Sequence, residues 1–165
     1  MAVFLCGFMG CGKSTVGVLL AKNLGCSLLD TDELIVKREG MTIPEIFEKK
    51  GEPYFRELEK QVVSELSGGK AVVSCGGGTM LSDENAAAAR EKGTVVYIDT
   101  SFKSCYERIK DDGNRPIAAS RTKEQLLDLY NTRAVIYKKN SDCSVDGEGS
   151  PMEIAANIQS MVKIK

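Results

Sequence analysis

Apolar and polar positions follow two alternating periods along the chain. Short, mostly apolar runs at 2–6, 27–30, 71–75, 94–98 and 141–145 predict strands, the pattern of parallel strands buried on both faces. Between them, apolar positions recur at helical spacing over 13–24, a pair of helices across 43–66, then 83–92, 102–110, 123–139 and 151–162. Thr42 with Glu45, Thr122 with Gln125 and Ser150 with Glu153 each have the spacing of a capping box. Pro151 follows Ser150 at a first helical position, where a missing N–H costs nothing. Strand and helix in alternation predict an open α/β sheet with right-handed crossovers. Two stretches read as insertions: 32–66, mostly helical, and 110–121, polar with both charge signs. A dozen such residues inside a compact domain are more often functional than idle.

Composition narrows the picture. The 165 residues suit one domain with one core, so 1–165 reads as a single unit without an interdomain linker. Lys plus Arg number 22 against 23 Asp plus Glu, a net charge of −1, with no basic excess for nucleic acid or an anionic membrane. The chain runs from Met1 directly into an apolar strand, without a leader pattern or a bilayer-length apolar stretch, which predicts a cytoplasmic protein. Six scattered cysteines lack any metal-like spacing and read as reduced thiols. There is no His, so the chemistry falls to carboxylates, Lys, Arg, backbone amides or a metal.

The run from Gly7 to Ser14, GFMGCGKS, fits GxxxxGK[ST] after a strand and before a helix. Its glycines let backbone amides curl around a phosphate chain, and the helix N-terminus adds positive charge. Lys13 would reach the β- and γ-phosphates and the Ser14 hydroxyl would ligate Mg²⁺. Alone, this motif specifies a nucleoside triphosphate and no acceptor.

The acceptor side rests on four features. Asp30-Thr31-Asp32 ends the second strand, where a carboxylate can hold Mg²⁺ through water or accept a hydroxyl proton; a turn capping the next helix is the other possibility. Gly76-Gly77-Gly78 ends the third strand, where absent side chains admit a close neighbour, or form a plain loop. Arg133 shares a helix face with Leu126, Leu129, Tyr130, Ile136 and Tyr137, and Arg56 borders the stripe Phe55, Leu58, Val62 and Leu66, with Glu59 one turn on. An inward Arg needs an anion: a structural carboxylate, or an acidic substrate held through its planar fork. Arg115-Pro116 lies in 110–121, which reads as a lid or as a surface loop.

In this order and spacing, the P-loop, Asp30-Thr31-Asp32, Phe55-Arg56-Glu57-Leu58-Glu59, the three glycines, Asn114-Arg115-Pro116 and the run from Thr132 to Tyr137 resemble the shikimate kinase family of P-loop kinases over nearly the whole chain. The resemblance implies a three-layer P-loop fold: a five-stranded parallel sheet, order 2-3-1-4-5, flanked by helices, with a helical substrate-binding insertion at 32–66 and a mobile lid at 110–121. It implies ATP-dependent phosphorylation of the 3-hydroxyl of shikimate, with Mg²⁺. Lys13, Asp32 and Arg115 would be catalytic. Gly10, Cys11, Gly12, Lys13, Ser14 and Thr15 would wrap the phosphates, and Arg108 would lie near the adenine. Asp32, Arg56, Arg133 and the backbone at Gly78 would bind shikimate. Ser14 and, through water, Asp30 would hold the metal. A monomer or weak dimer is implied. The stretch from Asp146 to Pro151 departs from the pattern: it is short and holds no Arg, which leaves backbone groups near Ser150 for the adenine. A kinase for another hydroxylated acid such as gluconate, or for a nucleotide, fits the same motifs less well, because two inward arginines suit a carboxylate. A non-catalytic nucleotide switch would lack Lys13, Asp32 or Arg133, and a GTPase would carry an NKxD-like motif, which is absent.

Overall fold

The computed structural model describes residues 1–112 and 116–162. Among these, the strands are β1 (Ala2–Cys6), β2 (Ser27–Asp30), β3 (Ala71–Ser74), β4 (Gly93–Asp99) and β5 (Cys143–Asp146), in one parallel sheet ordered β2-β3-β1-β4-β5. This is the predicted order. The register sets Leu5 beside Ser74 and Val96, and Asp30 beside Ser74, so the carboxyl ends of the central strands share one edge. β1, at the centre of the order, is buried throughout. That burial is why its sequence is a continuous apolar run and not an alternating one.

The helices are α1 (Lys13–Leu24), α2 (Thr31–Glu39), α3 (Ile43–Lys50), α4 (Glu52–Leu66), α5 (Asp83–Lys92), α6 (Phe102–Ile109), α7 (Pro116–Ala119), α8 (Lys123–Asn140) and α9 (Pro151–Met161), with a 3₁₀ turn at Thr79–Leu81. α1 and α9 pack together and against the sheet, while α5 and α8 make a second group touching β4. The predicted capping boxes at Thr42, Thr122 and Ser150 are all formed. Sequence periodicity sets β5 about two residues early. Asp142 is outside the ladder because its carboxylate accepts from the Val95 amide, pinning the strand entry with a side chain.

The 32–66 insertion is a layer of its own. α2, α3 and α4 close a small core of Ile35, Ile46, Phe55, Leu58 and Val62, separate from the main core around β1. α2 begins directly after β2 because the Asp30 carboxylate accepts from the amides of Asp32 and Glu33. The capping alternative for Asp30 is therefore realised, and it fixes the backbone on which Asp32 stands.

Candidate active site

Between β1 and α1 the chain wraps into a loop. Gly10 and Gly12 take φ values of 80° and 99°, a left-handed conformation that a side chain resists. Cys11 between them is buried, its sulfur packed where a Cβ on Gly7 would fall; it fills the loop from inside. The Lys13 ammonium turns back over the loop and donates to the carbonyls of Gly7 (2.7 Å) and Phe8 (3.2 Å). Ser14 and Thr15 are exposed in the first turn of α1. From α6, Arg108 reaches across and donates to the Gly10 carbonyl at 2.8 Å, placing its guanidinium on the phosphate loop.

Beside this loop lies a pocket of about 580 Å³, within the range of small-molecule sites. Met9 of the loop, Asp32, Arg56, Glu59, Gly77, Gly78 and Arg133 line it, with an apolar wall of Ile43, Pro44, Phe47, Phe55 and Ile117. Five helices and two loops thus converge on one cleft at the carboxyl edge of the sheet, where ligands bind in open α/β folds.

The three glycines after β3 each face one charged side chain. A Cβ on Gly76 would run into the Asp32 carboxylate, one on Gly77 would come to 3.2 Å from Arg133 Nη1, and one on Gly78 would run into the Arg56 guanidinium. The run is therefore no plain loop. It is the floor on which the three polar groups rest, and side chains there would displace them.

The charges are unevenly paired. Arg56 donates from Nη1 to Glu59 Oε2 (2.7 Å) and from Nε and Nη2 to Glu52 Oε1. Glu59 is 1% exposed, so its carboxylate depends on that pair. The structural partner allowed for Arg56 is thus present, yet the guanidinium still borders the pocket. Arg133 forms no ion pair among the described residues and is half-buried against Gly77, a cation left for an anion from outside. Burial raises the Asp32 carboxyl to about 6, with Asp30 and Glu59 pushing the same way and Lys13 and Arg56 pulling it back. A carboxylate near neutrality, between a phosphate loop and two arginines, suits proton acceptance from a hydroxyl.

The family model for shikimate kinase matches residues 9–163. The chain belongs to the shikimate kinase family. The shikimate kinase of Aquifex aeolicus is 43% identical over 159 residues, 96% of this chain and 94% of that one. That of Persephonella marina is 42% identical over 163 residues, 98% of each chain. A solved shikimate kinase from Acinetobacter baumannii, in complex with shikimate, is 37% identical with a TM-score of 0.88 over 97% of this chain and 91% of that chain. The chain is accordingly an enzyme, a kinase of the shikimate pathway that uses ATP as co-substrate to phosphorylate shikimate.

Arg115 lies outside the described residues; of its segment, α7 is placed, and its Ile117 lines the pocket. Other site residues escaped the sequence. Thr31 and Thr79 are buried beneath Asp32 and the glycines, and Tyr137 donates to the Gly77 carbonyl. Glu148 accepts from the Ser101 amide (2.6 Å) and Ser104 Oγ (2.7 Å), which holds its carboxyl below the usual range and ties the loop before α9 to the start of α6, the helix of Arg108. Ile43, Pro44 and Phe47 were legible in principle: with Thr42 capping, they form one apolar stripe of α3.

Proposed function

We propose that the pocket binds shikimate and that Asp32 receives the proton of its 3-hydroxyl as that oxygen attacks the γ-phosphorus of ATP. The bond from the γ-phosphorus to the β–γ bridging oxygen breaks, and the products are shikimate 3-phosphate and ADP. The observation that carries this is the placement of Asp32 in one cleft with Arg56 and Arg133, next to the phosphate loop. Shikimate is a small carboxylate with ring hydroxyls. Its carboxylate would meet the Arg133 fork and Arg56, and its ring the apolar wall of Ile43 and Phe47. The backbone at Gly78, which lines the pocket, would contact the same ligand.

On the nucleotide side, the amides from Gly10 to Thr15 would cradle the phosphates. Lys13 would exchange its bonds to Gly7 and Phe8 for the β- and γ-oxygens. Arg108, on the loop through its bond to the Gly10 carbonyl, would lie near the adenine. Arg115, outside the described residues, would neutralise charge on the transferring phosphoryl group.

Mg²⁺ fits the donors present. The Ser14 hydroxyl is exposed beside the phosphate loop, and Asp30 caps α2 through Oδ1 alone, leaving Oδ2 for a bound water. Among the described residues no group of three or more acidic or Cys side chains forms a protein cage. Mg²⁺ bound here would be held mostly by water and phosphate. When bound, it would neutralise charge on the β- and γ-phosphates.

Among the described residues no helix is long and apolar enough to cross a membrane. We place the enzyme in the cytoplasm as a monomer acting on ATP and shikimate alone, without nucleic acid or membrane. An assay of ADP release with and without shikimate tests the function. Turnover that depends on shikimate and Mg²⁺ is expected; release driven equally by gluconate or a nucleoside monophosphate would overturn it.

A further inference from the structure

Beneath the pocket floor runs a chain of buried polar groups whose middle members, Thr31 and Thr79, do not line the cleft. The Gly76 amide donates to Thr31 Oγ1 at 2.8 Å. Thr31 Oγ1 and Thr79 Oγ1 lie 3.5 Å apart. Thr79 Oγ1 donates to Glu59 Oε1 at 2.8 Å, and Glu59 Oε2 accepts from Arg56 Nη1 at 2.7 Å. The single proton of the Thr79 hydroxyl is committed to Glu59, so the Thr31 hydroxyl donates to Thr79. All bonds therefore run one way, from Gly76 toward Glu59, the arrangement in which each bond polarises the next. Thr31, Thr79 and Glu59 are all but fully buried, and the Thr79 carbonyl is itself held by Asn85 Nδ2 at 3.0 Å.

The two ends of this chain are the two halves of the acceptor site. Gly76 lies against the Asp32 carboxylate, and Thr31 is the residue before Asp32. Glu59 orients the Arg56 guanidinium. Building on the assignment of Asp32 and Arg56 to shikimate, we propose that Thr79 is a positioning residue. Its hydroxyl locks the spacing between the proton acceptor and the carboxylate clamp while touching neither substrate. A hydroxyl, and not merely a side chain of that size, is required: the site between Glu59 and Thr31 needs one atom that both donates and accepts.

The test compares Thr79→Val, which keeps the shape and removes the hydroxyl, with Thr79→Ser, which keeps the hydroxyl and removes a methyl. For Thr79→Val we expect a KM for shikimate raised about tenfold and a lowered kcat, with the KM for ATP unchanged. Thr79→Ser should restore the KM for shikimate to within about twofold of the parent. Thr31→Val breaks the same chain from its other side and should raise the same KM. If Thr79→Val does not fold, Thr31→Val against Thr79→Ser decides the question. An unchanged KM for shikimate in the hydroxyl-free variants overturns the proposal, as does Thr79→Ser matching Thr79→Val, which would make the residue mere packing. Asp32→Asn and Arg56→Ala run in parallel: if these leave shikimate turnover intact, the assignment of the site fails, an outcome distinct from a normal Thr79→Val in a site those two variants disable.

Discussion

The side chain that Gly78 lacks would occupy the space of the Arg56 guanidinium. The φ of Gly78 is −93°, so alanine is acceptable to the backbone there and the conflict is purely with Arg56. Gly78→Ala should therefore displace Arg56, raise the KM for shikimate by more than about tenfold and, by loosening the Arg56–Glu59 pair, lower stability in the same direction as Arg56→Ala but by less. Gly76→Ala presses on Asp32 in the same way and should fall mainly on kcat. Steady-state kinetics of the two, beside thermal denaturation, separate clamp from proton acceptor; equal effects of both on KM alone would contradict the assignment.

The Asp32 carboxyl, raised to about 6 by burial and its acidic neighbours, must be ionised to accept a proton. As pH falls through about 6 the group protonates, so kcat/KM for shikimate should drop with a slope of one on that side. The slope should shift toward higher pH in Arg56→Ala, because that guanidinium favours the charged form. A profile flat from pH 7 to pH 5 would remove Asp32 from the role.

The same shift makes Asp32 a cost to folding. The folded carboxyl ionises near 6 against 3.8 when unfolded, so its penalty is absent below about pH 4, grows between, and is complete above about 6. Asp32→Asn should thus be more stable than the parent by up to about 3 kcal/mol at pH 8, and equal to it near pH 3.5. Denaturant melts at the two pH values check the sign; greater stability of the parent at pH 8 would contradict it.

Arg133 has no carboxylate partner among the described residues, so its removal leaves no buried charge stranded. Arg133→Ala should cost about 2–4 kcal/mol in kcat/KM for shikimate and little in stability. Arg133→Lys should recover only part, since an ammonium cannot reproduce a planar fork. Arg56→Ala differs: it unpairs the buried Glu59 and should lower the melting temperature as well as activity. Equal stability losses in the two arginine variants would contradict this division.

How much of this was legible beforehand follows from where each signal resides. The phosphate loop is contiguous, and its strand, glycines and helix announce one another. The glycine run was legible as a place of close approach. Its one-to-one match with Asp32, Arg133 and Arg56 was not, because those partners come from α2, α8 and α4 and meet only after the crossovers close. Arg56 and Glu59 sit a helical turn apart and could be paired on paper. Thr79 and Thr31 could not, since a buried threonine looks the same as an exposed one until the fold brings together two hydroxyls 48 positions apart in sequence. The start of α2 at Thr31 was weighed only as a possible turn, because Asp30 offers the same carboxylate to a cap or to a metal-bound water, and here different oxygens are free to do each.

Lys13 bonded to the carbonyls of Gly7 and Phe8 has a practical consequence. Through these two bonds the ammonium staples the loop from inside, and phosphates entering it must compete with the Gly7 and Phe8 carbonyls for that cation. Replacing Lys13 with Met would remove the staple along with the phosphate contact. The free enzyme would then lose loop order that the parent retains, and the melting-temperature gain on adding ADP would include rebuilding the loop. Nucleotide-induced stabilisation in that variant would measure an ordering step as well as an affinity.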